Sequence, residues 1–119
     1  MASTTIVDSY SVGSENKPIK LKVSLTGSME IGKSTVRLDK NKIGDYDDSF
    51  EVVLGAADDV MGSILYIDTT ESYIDKNTSG TTDFKISLEG GPQPYVNSRS
   101  QSVAPGGYVL YTTEIALIP

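Results

Sequence analysis

The chain is written in a two-residue rhythm. Ile19, Leu21, Val23 and Leu25 are separated by Lys20, Lys22 and Ser24, and Phe84, Ile86 and Leu88 by Lys85 and Ser87. Successive side chains of a strand point to opposite faces, so each run reads as a strand with one face in a core and one in water. Shorter segments at Ile6-Val7, Thr35 to Leu38 and Phe50 to Leu54 follow suit. Ile64-Leu65-Tyr66-Ile67 and Tyr108 to Ile118 are apolar on both faces and rich in β-branched and aromatic residues, which suits central strands. In the latter the odd positions Val109, Tyr111, Ile115 and Leu117 make the core face, with Glu114 on the other.

Glycine-centred turn signals recur at Gly13-Ser14, Gly27-Ser28, Gly44, Gly62-Ser63, Ser79-Gly80, Gly90-Gly91-Pro92 and Pro105-Gly106-Gly107. This spacing predicts an all-β fold, an antiparallel β-sandwich of about seven to eight strands, immunoglobulin-like or jelly-roll, without substantial helix. The one helical candidate, Ala56 to Met61, allows a single turn. The 119 residues suit a single domain spanning 1–119. Leu21-Lys-Val-Ser-Leu-Thr-Gly27 echoes Phe84-Lys-Ile-Ser-Leu-Glu-Gly90. Equivalent strands on opposing sheets would explain the echo, but it does not extend on either side, so ordinary strand composition explains it better.

The inventory removes several chemistries. With no Cys there is no disulfide framework or thiolate site, and with no His there is no Ser-His-Asp triad, ordinary zinc site or near-neutral proton switch. Enzymes built on paired carboxylates remain open, but the expectation is a protein that is not an enzyme. The net charge is −6, with only Arg37 and Arg99 as guanidinium groups among scattered lysines. A basic stripe that could displace phosphate counterions is missing, so neither nucleic acid nor an anionic membrane is an expected partner. The sequence opens Met1-Ala-Ser-Thr-Thr without a signal-peptide pattern, and no apolar run is long enough to span a bilayer. A soluble protein is expected: cytoplasmic, exported by a signal-free route, or a mature fragment given a new Met.

Gly27-Ser-Met-Glu-Ile-Gly32-Lys33-Ser34 matches the phosphate-cradling pattern G-x-x-x-x-G-K-[ST] in full. That loop works by opening a helix whose N-terminus holds the phosphate. Here Thr35-Val-Arg-Leu-Asp39 alternates like a strand, and the preceding strand shows a wet face with two lysines. A hairpin or loop joining two strands accounts for the same residues.

Residues 39–59 hold seven carboxylates and two lysines, −5 of the net charge. Asp39-Lys-Asn41-Lys-Ile-Gly44 begins like a calcium loop, but Ile43 stands where an oxygen ligand belongs and Phe50 where a bidentate Glu belongs. Asp39, Asn41, Asp45, Asp47 and Asp48 are the candidate calcium ligands; a solvated acidic loop is the commoner outcome of such composition. Asn77-Thr78-Ser79 matches a glycosylation acceptor. Gly91-Pro-Gln-Pro-Tyr95-Val-Asn97-Ser-Arg99 places an aromatic, an amide and a cation together, so Tyr95, Asn97 and Arg99 are the candidate ligand-binding residues. The plainer reading is a connection between sheets with Tyr95 packed at its edge.

The composition points to a non-catalytic interaction or structural module, acting through loops or a sheet edge on a protein partner or by self-association, without a cofactor. The alternative is a carbohydrate-binding module, assisted by calcium at the acidic loop. Seven Tyr favour a recognition surface, whereas the absence of Trp weighs against sugar binding.

Overall fold

The computed structural model describes residues 2–27, 31–73, 77 and 79–119. Among them the alternating segments form strands: β1 Ala2–Ser11, β2 Pro18–Gly27, β3 Ile31–Leu38, β4 Asn41–Asp47, β5 Phe50–Ala56, β6 Ile64–Ser72, β7 Gly80–Glu89, β8 Tyr95–Val103 and β9 Tyr108–Ile118. The single helical turn, α1, is Ala57–Val60, within the segment that the sequence allows one turn. Among the described residues no helix is long and apolar enough to cross a membrane.

The strands form two sheets without a closed barrel. One has the order β1-β9-β6-β3-β4 and the other β5-β2-β7-β8. Their inner faces meet in one hydrophobic cluster: Ile19, Leu21, Val23 and Leu25 from β2, Phe84, Ile86 and Leu88 from β7, Leu65 and Ile67 from β6, and Val109, Tyr111, Ile115 and Leu117 from β9. Each such buried aliphatic or aromatic side chain contributes roughly 1.5–3 kcal/mol by leaving water. The Phe84 and Tyr111 rings stack between the sheets at 4.9 Å. The core face read from the odd positions of β9 is the buried one.

The topology departs from the sequence expectation in three ways. The described strands number nine, and the sheet is mixed, because β1 pairs β9 in parallel from Ala2↔Val109 to Ser11↔Ile118. The phosphate-loop-like segment joins two strands, β2 and β3, as expected, with Gly27 and Ile31 in different sheets. Ser28 to Glu30, at its centre, and Thr78, in the glycosylation pattern, lie outside the described residues. Thirdly, two segments read as loops are strands, β4 and β8. Both are sheet edges, and of their residues only Val103 is fully buried, so neither shows an apolar alternation. The echoed segments are antiparallel neighbours within one sheet, with Leu21↔Leu88 and Leu25↔Phe84, and not equivalents on opposing sheets.

Candidate functional site

Tyr95, Asn97 and Arg99 alternate along β8 opposite Leu88, Ile86 and Phe84 of β7. Those partners are core residues, so all three side chains lie on the inner face of an edge strand, where the sandwich-like pair of sheets opens to solvent. Across that opening runs β1, the edge of the other sheet, whose inner face carries Ile6, Asp8 and Tyr10.

The polar groups of this seam are joined in series. Arg99 Nη1 donates to Asn97 Oδ1 at 2.5 Å and to the Ser98 carbonyl at 3.1 Å. Asn97 Nδ2 donates to Tyr95 Oη at 3.2 Å, and the Tyr95 hydroxyl donates to Asp8 Oδ2 at 2.9 Å. Asp8 Oδ1 accepts the Ser9 N–H at 2.9 Å. Burial holds the Tyr95 phenol above the ordinary tyrosine range, partly offset by the Asn97 amide, so it remains a donor. Tyr10 meets the Tyr95 ring edge-on at 6.3 Å, and its hydroxyl accepts the Gly91 N–H at 2.9 Å. The structure therefore brings the three candidate ligand-binding residues together and adds Asp8 and Tyr10. The sequence signal for those two was the even-numbered alternation of Ile6, Asp8 and Tyr10, which only a long first strand makes legible.

The candidate calcium ligands are strung along β4 instead. Asp39 and Asp48 flank opposite ends of this seven-residue strand. Asp39 Oδ1 accepts the Ile64 N–H at 2.9 Å, fixing the β3–β4 turn, in which Asp39 itself adopts a φ of 51°. Asp45 accepts the Thr35 hydroxyl at 2.7 Å and pairs with Lys42, and both contacts pull its carboxyl below the usual range. Asp47 faces Lys33 at 4.0 Å, and Asn41 begins the strand. Among the described residues no three His, Cys, Asp or Glu groups converge as metal ligands.

A polar cluster that sequence reasoning passed over lies inside the core. Glu71 is fully buried on the inner face of β6, and neither carboxyl oxygen has a hydrogen-bond partner among the described residues. Burial drives its pKa to about 8, with the Asp83 charge adding to the rise and the Thr82 hydroxyl opposing it. Nearby, the Tyr111 hydroxyl bonds the Thr82 hydroxyl at 2.8 Å and the Thr82 carbonyl at 3.1 Å, and Ser34 bonds Thr69 at 2.8 Å. Ser34 of the phosphate-loop-like motif thus turns into the core. Glu71 continues the odd-numbered inner row Leu65, Ile67, Thr69, so phase alone could have placed it.

No protein-family model matches the chain, and neither a curated protein nor a solved structure matches it.

Proposed function

We propose that the chain is a non-catalytic interaction module: a β-sandwich that pairs with a strand of another polypeptide along the open side formed by β1 and β8. The unequal treatment of its four sheet edges supports this reading. An unpaired strand edge invites further strands, and proteins blunt such edges with bulges, short strands and charge. Two edges here are blunted. The seven-residue β4 carries Lys42, Asp45 and Asp47 and a register shift against Val36/Arg37. On β5 a register shift against Ile19/Lys20 accompanies Glu51. The other two are not. β1 runs ten residues and β8 nine, each without proline or register shift and each with one charged residue, Asp8 and Arg99. Both lie on the same side of the molecule and expose valine outward, Val7 at 69% and Val96 at 58%. Strand addition to such an edge gives affinity through main-chain hydrogen bonds.

The test uses a neutral strand of β8's own length. A nine-residue capped peptide of alternating threonine and valine with a central glutamine, kept soluble by polyethylene-glycol ends, is titrated to roughly millimolar while backbone amides are followed by NMR. Shifts are expected along β1 and β8. A response confined to β4 and β5, or none on any edge, refutes the reading.

A further inference from the structure

We infer that the segment pairing with β8 is acidic, placing a carboxylate on the Arg99 guanidinium; this rests on the edge-pairing reading above and specifies its partner. Arg99 is the single charged residue of β8. Among the described residues the ion pairs use Lys17, Lys20, Lys22, Lys33 and Lys42, and none uses Arg99. Its side chain is nonetheless held in place. Asn97 Oδ1 and the Ser98 carbonyl take hydrogen bonds from Nη1, and Asn97 is itself fixed through Tyr95 to Asp8. Both acceptors on Arg99 are neutral, so the relay orients the cation without neutralising it. A guanidinium carries five N–H donors in a planar fork, and the bonds from Nη1 leave Nη2 and Nε able to grip a carboxylate through two parallel contacts. Orientation before binding removes part of the entropy that a free arginine would lose.

The companion edge carries a charge of the opposite sign. The carboxylate of Asp8, the one charge on β1, already accepts from the Tyr95 hydroxyl and the Ser9 N–H. On β8 itself the one side-chain charge is positive, although the chain as a whole carries −6. An extended segment bearing Asp or Glu opposite Arg99 complements it, and a basic segment does not.

The experiment compares the glutamine peptide above with its central-glutamate counterpart on the wild-type chain and on Arg99→Gln. Glutarate serves as a carboxylate without a backbone. On the wild-type chain the glutamate peptide should bind about tenfold tighter, with its shifts centred on β8, and Arg99→Gln should abolish the difference between the two peptides. Equal binding of the two peptides along β8 overturns the acidic partner and leaves edge pairing intact. Failure of both peptides to bind overturns both. Glutarate binding as tightly as the glutamate peptide overturns the strand partner in favour of a small carboxylate. The two peptides on the wild-type chain decide the matter even if Arg99→Gln folds poorly.

Discussion

Glu71 ties stability to pH through one carboxyl. Facing it are Tyr111 from β9 and Thr82 with Asp83 from β7, while β3 brings Gly32 into register with it. Its pKa of about 8 stands above the value of 4.5 for an ordinary glutamate. The neutral acid is therefore the form that the fold prefers, and its stability is fully present below pH 4.5 and is lost as pH rises through about 8. The loss reaches roughly 3 kcal/mol by pH 7. Surface carboxylates work in the opposite sense. Glu15 and Glu51 are held below their usual range by hydrogen bonds and charge from Lys17 and Lys20, and they weaken the fold only when protonated in acid. Urea midpoints of the wild type should fall between about pH 5 and 8.5, and Glu71→Gln should flatten that slope. An unchanged slope would assign the titration to another group.

The edges and turns of the strands carry the next level of control. At the end of β7 the chain turns through Gly90, at φ 113°, where an added Cβ would lie 2.1 Å from the Pro18 carbonyl oxygen. Gly62 has φ 88° but open space around the same position. Ala at Gly62 meets only the backbone penalty, about 1–2 kcal/mol, whereas Ala at Gly90 must also displace the start of β2. Gly90→Ala should therefore lower the urea midpoint clearly more than Gly62→Ala; equal losses would mean that the start of β2 can move away from the β7–β8 connection. Both glycines were visible as turn signals, yet nothing local separates the crowded one from the open one. The edge strands show the same divide. β2 and β7 announce themselves by strict alternation, because one face of each is core. In β8 the inner row Tyr95, Asn97, Arg99, Gln101 is polar, since it faces the open side, so the residues were recognisable as a recognition set but not as a strand.

At the scale of the whole molecule the first and last strands are partners, with β1 lying against β9 over their full length. Such a pairing brings together the most distant parts of the chain and closes the largest loop available. Refolding followed by stopped-flow fluorescence should fall in the range of milliseconds to seconds typical of non-local β-topologies, and a phase completed within microseconds would contradict it. By itself the sequence determined the all-β class, the single helical turn, the inward rows of β2, β7 and β9, and a chemistry without histidine or cysteine. Those are local matters: the phase of a strand follows from which neighbours are apolar, and composition is a count. Only the tertiary structure decided which strands meet, that β1 runs parallel to β9, that the β4 carboxylates are spread along an edge, and that Asp8, Tyr95, Asn97 and Arg99 share one seam. Pairing depends on how two distant apolar faces cover each other and on where the sheets end. An edge strand and a central one can be written with the same two-residue period.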